Sequence, residues 1–225
     1  MALNAKPRLV IFDCDGVLVD SEPISLSVML DVLHEAGIDV TEAEGYRHLL
    51  GRSIASNADW IRDEKGLELT SEHREALRRR VFERFRAELE PVMGARAAIE
   101  ALNIERCVAS SSQPDRIRFS LTLTGLIDLF DPHLFSAAMV DNGKPAPDLF
   151  LHAAREMGVL PGDCLVIEDS PAGIGAAKAA GMSVVGFVGG SHAKPADLKT
   201  AVASAGPDAI IEHMSDLPSL IEVTA

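Results

Sequence analysis

Two carboxylates one residue apart, Asp13 and Asp15, close the short apolar run Leu9 to Phe12, and Gly16 follows at once. A second acidic pair, Glu168-Asp169, closes another apolar run at residues 164–167. Between them lie Ser110-Ser111, after residues 106–109, and Lys144, directly before Pro145. Apolar runs of this length read as buried strands of a parallel sheet, whose ligands bind beyond the carboxyl ends of the strands. Alternation along an extended chain puts Asp13 and Asp15 on one side and Cys14 on the other, so Cys14 is expected to be structural. Four carboxylates gathered at one sheet edge repel unless a cation holds them. Oxygen donors with no histidine or thiol among them select a hard ion, magnesium before zinc, and magnesium favours sites completed by a substrate phosphate. Ser110 and Ser111 offer hydroxyl and backbone N–H groups at a helix start. Pro145 forces Lys144 into extended backbone and makes it a fixed cation. Singly, an acidic turn, capping serines or a loop lysine is ordinary; the combination carries the reading.

The elements that must position these residues alternate in an α/β rhythm. Ser21-Glu22-Pro23 reads as a helix start with a capping serine and an early proline. The pattern then stays helical to about Glu90 and ends at Pro91-Val92-Met93-Gly94. After Gly94 a helix leads to the strand at 106–109, and Ser112 with Asp115 has the form of a capping box. An alanine- and glycine-rich helix at 172–180 and strands at 184–188 and 209–211 complete the pattern. The expected fold is α/β: a Rossmann-like doubly wound parallel sheet core, residues 1–20 and 94–225, with an inserted all-helical cap domain at residues 21–93. His192 and His213 stand isolated and are expected at the surface or in loops. Arg78-Arg79-Arg80, Arg84 and Arg86 share a stretch with Glu75, Glu83, Glu88 and Glu90, which suits a solvated helix face.

The 225 residues are 47% hydrophobic and 24% charged, the composition of a globular protein with a sizeable core. No apolar run approaches the length of a membrane span, and Met1 to Arg8 lacks the apolar segment of a signal peptide. A cytoplasmic location is therefore expected. The net charge of −13 argues against nucleic acid and anionic membranes as partners. Cys14, Cys107 and Cys164 show no metal-type spacing and fit buried thiols in a reducing compartment.

Asp13-x-Asp15-Gly16-Val17-Leu18-Val19-Asp20-Ser21, Ser110, Lys144-Pro145 and Glu168-Asp169, in this order, resemble the four motifs of the haloacid dehalogenase superfamily. The helical insert resembles the cap of its phosphatase and β-phosphoglucomutase-like branch. More finely, Phe12-Asp13-Cys14-Asp15 and Leu134-Phe135-Ser136 are similar to bacterial sugar-phosphate phosphatases of the 6-phosphogluconate phosphatase type. The resemblance implies a magnesium-dependent phosphoric monoester hydrolase that acts on a small phosphorylated metabolite, a sugar phosphate. In it Asp13 is the nucleophile that becomes an aspartyl phosphate, and Asp15 is the general acid and base. The ion is held by Asp13, the Asp15 carbonyl and Asp169, with Glu168 direct or through water. Ser110, Ser111 and Lys144 hold the phosphoryl group. Substrate choice is expected in the cap. There Gly51-Arg52-Ser53 either reaches the substrate, with Arg52 binding its anion, or is a plain helix-to-helix turn. The alternatives are a β-phosphoglucomutase-like hexose-phosphate mutase, whose cap histidine position falls on Ser25, and a non-catalytic phospho-receiver. The expected assembly is a monomer or weak homo-oligomer.

Overall fold

Leu9-Val10-Ile11-Phe12 is apolar at every position, which a strand tolerates only when both of its faces are covered. The computed structural model describes residues 6–50 and 54–222. It places this run as β1 (Leu9–Phe12), buried throughout, in the middle of a parallel sheet. Among the described residues the other strands are β2 (Glu105–Ser110), β3 (Leu134–Ser136), β4 (Cys164–Glu168), β5 (Ser183–Phe187) and β6 (Ala209–Ile211), in the order β3-β2-β1-β4-β5-β6. Every neighbouring pair runs parallel. The expected doubly wound α/β class is what forms. The order reverses between β1 and β4, and the crevice at such a switch point is where ligands of these sheets bind.

Register brings the chemistry level. Leu9 pairs with Glu105 on one side and Cys164 on the other. Beyond the strand, the Asp13 N–H still donates to the Ile167 carbonyl at 2.9 Å. The carboxyl ends of β1 and β4 therefore stop side by side. Packing alternates with period two, as extended chains require. Leu9 and Ile11 join a buried cluster with Leu149, Phe150, Ile174 and Ala177, while Phe12 meets the edge of Phe130, ring centroids 5.7 Å apart.

The chain divides into two units: the sheet unit, formed by the residues up to Asp20 and from Glu90 onward, and the helical unit Ser21–Leu89. The helical unit contains α1 (Glu22–Glu35), α2 (Glu42–His48), α3 (Ile54–Lys65) and α4 (Ser71–Glu88). Thr41 caps α2 with a reciprocal capping box to Glu44. A Cβ on Gly45 would come within 2.7 Å of Leu26, so α2 lies tight against α1. Helices of the sheet unit used below are α5 (Ala95–Glu100), α6 (Pro114–Leu123), α7 (Asp148–Glu156) and α8 (Pro171–Ala179). Among the described residues no helix is long and apolar enough to cross a membrane.

Four local expectations change. Residues 90–93 belong with the sheet unit, because the Asp20 N–H donates to the Glu90 carbonyl at 3.0 Å and the Val92 N–H to the Leu18 carbonyl at 2.9 Å. Ser21 stands at the N-cap of α1, but its side chain makes no capping bond. The capping box of Ser112 and Asp115 does not form: α6 starts after Gln113, and the Ser112 hydroxyl is used elsewhere. β3, with only three residues, is a strand that apolar patterning did not single out.

Candidate active site

Gly16 is what lets the first motif turn. Its φ of +79° is a left-handed conformation that residues with a Cβ rarely adopt. A Cβ there would also sit 1.9 Å from Asp169 Oδ2. The turn is closed by the Gly16 N–H donating to the Val19 carbonyl at 2.9 Å and the Leu18 N–H to the Cys14 carbonyl at 2.9 Å. Val17, Leu18 and Val19 are buried beneath it, so the two aspartates are held by packed backbone.

Lys144 reaches into the space between the strand ends. Its Nζ lies 2.5 Å from Asp13 Oδ1 and 2.6 Å from Glu168 Oε1, and donates to the Ala109 carbonyl at 3.0 Å. Three donors meet three acceptors, and only 4% of the side chain is exposed. Burial alone would lower the lysine pKa, but the Asp13 and Glu168 charges more than reverse this, so it is raised and the ammonium stays charged. The Lys144-Pro145 peptide is cis. Glu168 spends its other oxygen, Oε2, on the Ser170 N–H and hydroxyl, both at 2.9 Å. Gly173 at the start of α8 leaves room for this carboxylate, since a Cβ there would lie 1.8 Å from Oε1.

Asp15 is held differently. Its Oδ2 accepts from the Ser112 hydroxyl at 2.6 Å and its Oδ1 from Arg116 Nη2 at 2.8 Å. The buried Ser110 hydroxyl accepts from the Ser112 N–H at 3.1 Å, and the Ser136 hydroxyl donates to the Ser112 carbonyl at 2.6 Å. The turn after β2 is thus pinned, with Ser111 exposed on it.

Asp169 is buried and accepts from His192, whose Nε2 lies 3.1 Å from Oδ2. His192 was expected at the surface or in a loop; it lies in the loop after β5, but that loop folds it against Gly16 and Gly190 and leaves it 1% exposed. The structure therefore gathers Asp13, Lys144 and Glu168 in one set of contacts, brings Asp169 near enough for its charge to act on Asp13, and places Ser110 beside the partners of Asp15. Arg52 lies outside the described residues. Sequence reasoning missed Ser112, Arg116 and His192. Arg116 stands in the first turn of α6, and His192 follows a Gly-Gly pair in the loop after β5; neither placement announces a partner far away in the chain.

The charge balance favours a cation. Burial raises the Asp13 pKa well above the usual carboxylate range; Lys144 opposes this, and Glu168, Asp169 and Asp15 add to it. Burial also raises that of Asp169, with His192 pulling it back. One lysine does not relieve this crowding. Among the described residues no group of three or more His, Cys, Asp or Glu side chains is placed to hold a metal ion by itself. Two buried carboxylates with oxygen donors only, left for waters and a substrate to complete, are what magnesium accepts, so the residues fit that ion. The thiols play no part. Cys14, Cys107 and Cys164 are buried, and burial pushes the Cys14 thiol well up, with Asp15 and Asp13 adding to it.

A doubly wound sheet with carboxylates and a buried lysine at its switch point is a frame that more than one class of protein shares, and comparison with known proteins tells them apart. Residues 7–181 match the family model "haloacid dehalogenase-like hydrolase". The chain is 32% identical over 217 residues to the 6-phosphogluconate phosphatase of Escherichia coli (strain K12), covering 96% of this chain and 95% of that protein. A crystal structure of a haloacid dehalogenase-like protein of unknown function from Agrobacterium tumefaciens str. C58 has a TM-score of 0.83 and 36% identity, covering 96% of this chain and 98% of that one. A family hydrolase from Deinococcus radiodurans R1, solved with bound phosphate and sodium, has a TM-score of 0.77 and 28% identity, covering 96% and 98%. The chain belongs to the haloacid dehalogenase-like hydrolases, and it is a phosphatase-type enzyme of that family.

Proposed function

We propose that the protein hydrolyses a small phosphorylated metabolite, a sugar phosphate, through an aspartyl-phosphate intermediate on Asp13. The observation that carries this reading is the buried Lys144 bridging Asp13 and Glu168, with Asp15 two residues from the nucleophile. The likeness over nearly the whole chain to a phosphatase of a sugar acid phosphate supports the substrate class. Asp13 Oδ attacks phosphorus; the Asp13–phosphorus bond forms as the ester bond to the sugar oxygen breaks. Asp15, protonated for this step, gives its proton to the leaving alkoxide. It then takes a proton from the water that attacks the phosphorylated Asp13, which releases inorganic phosphate and restores the carboxylate. Lys144, Ser110 and the Ser111 N–H neutralise and orient the phosphoryl oxygens. Asp13, Asp169, the Asp15 carbonyl and Glu168, directly or through water, would hold magnesium, which would supply further charge neutralisation at phosphorus.

The test is phosphate release from a panel of sugar phosphates that includes 6-phosphogluconate, with magnesium and with chelator. Magnesium-dependent release from at least one sugar phosphate is expected. No release from any of them, or from p-nitrophenyl phosphate, overturns the proposal. Bisphosphate-dependent isomerisation of a hexose phosphate without net release would replace it with a mutase.

A further inference from the structure

His192 has no assigned part in the chemistry, yet it is among the most enclosed polar residues of the sheet unit, 1% exposed. Its ring fills a slot between two glycines. A Cβ on Gly190 would lie 2.6 Å from His192 Cε1, and a Cβ on Gly16 would lie 3.0 Å from the same atom. The loop that carries it is fastened at both sides: the Ser191 N–H donates to Asp20 Oδ1 at 3.2 Å, and the Ala193 N–H donates to the Gly190 carbonyl at 3.0 Å. The ring thus touches the nucleophile turn and Asp169 at once. Because a carboxylate only accepts, the 3.1 Å contact places the proton on Nε2.

We infer that His192 is a positioning residue for Asp169: its Nε2–H fixes Oδ2 against the Gly16 turn, so that Oδ1 is the oxygen offered to the divalent cation. The inference rests on the proposed function only in taking Asp169 as a cation ligand. A carboxylate with a free rotor presents either oxygen to an ion; one held by a buried donor presents a single oxygen in a single orientation. Two features separate this from ordinary packing. An apolar side chain of the same size would fill the slot equally well, and it would leave the buried Oδ2 without its donor. The glycines at 16 and 190 also make room for the ring where it lies, since a Cβ at either position would press on it.

The experiment is calorimetric titration of the purified full chain with magnesium, comparing wild type, His192→Phe and His192→Gln. Phe fills the slot without a donor, and Gln keeps an N–H donor. Loss of the hydrogen bond is expected to weaken magnesium binding about 10- to 100-fold in His192→Phe, with His192→Gln recovering most of that loss. Equal affinity in all three proteins overturns the inference, and so does an equal loss in both variants, which would mark a role in shape alone. Should His192→Phe fail to fold, ¹⁵N-histidine spectra of the wild type decide. A protected ring N–H that shifts during the magnesium titration supports the inference, and one that does not move overturns it. A wild type that binds no magnesium overturns both this inference and the metal part of the proposed function, whereas intact wild-type binding with unaffected variants overturns the inference alone.

Discussion

The sheet unit and the helical unit use the same charged pairs to opposite ends. In the helical unit Arg80 meets Glu35 through two bonds of 2.7 Å, with side chains 30% and 58% exposed, and Arg84 pairs with Glu88 one turn on. In the sheet unit Lys144 meets Asp13 and Glu168 at 2.5 and 2.6 Å with almost no exposure. Distances are alike; surroundings are not. Water screens the exposed pairs, and holding two long side chains together costs entropy, so they add little. The buried trio lacks that screening, so each member depends on the others, and removing one leaves an uncompensated charge. The lesson is that contact distance says nothing of worth until burial is known.

Substitutions can break or sharpen that contrast. The largest effect is expected for Asp13→Asn, which keeps the shape and removes the nucleophile. Turnover should fall by at least about 10⁴-fold with the circular dichroism spectrum unchanged, and a residual rate within tenfold of wild type would unseat Asp13. Lys144→Met should follow. It strands two buried carboxylates, so denaturant unfolding should show a loss of about 3–5 kcal/mol, reduced when magnesium is added. Gly16→Ala comes next, with a left-handed φ and a Cβ driven into Asp169. A loss of roughly 1–3 kcal/mol in unfolding is expected, together with weaker magnesium binding. Arg80→Ala, the exposed counterpart, should leave turnover unchanged and move the melting temperature little, and a loss comparable to that of Lys144→Met would end the comparison.

The smallest expected effect is a pH dependence. The Lys65 hydrogen bond, helped by the Thr41 backbone and hydroxyl, lowers the Glu44 pKa from 4.5 to about 2. A lowered acid stabilises the fold above its unfolded pKa and loses that contribution as pH falls through the folded one. The difference in melting temperature between wild type and Glu44→Gln, small because the group is exposed, should therefore be complete above pH 4.5 and fade towards pH 2.

Much of this was legible from residue order alone. β1 and β4 announce themselves as apolar runs and β2 through its shorter apolar stretch 107–109, and each ends in the polar residues that the site uses. The residues that escaped are those whose meaning depends on distant partners. Ser112 and Arg116 bond Asp15 across about a hundred residues of chain, and Ser112 also fitted a local capping pattern that read more simply. His192 escaped because one histidine in a glycine-rich loop has no periodicity to report its burial. β3 is too short for alternation to register. The boundary at residues 90–93 escaped because backbone hydrogen bonds, which no side chain advertises, tie them to residues 18–20.

Those bonds carry a consequence for how the chain can be rebuilt. The polypeptide leaves the sheet unit after Asp20 and rejoins it at Glu90, and the two residues are already joined through their main chains. The doorway is one peptide wide. A graft of any length meets the same two jambs, and a tight turn would span them as readily as a whole bundle of helices. Replacing the segment between them is therefore expected to leave the main-chain bonds of residues 18–20 with 90–92 in place.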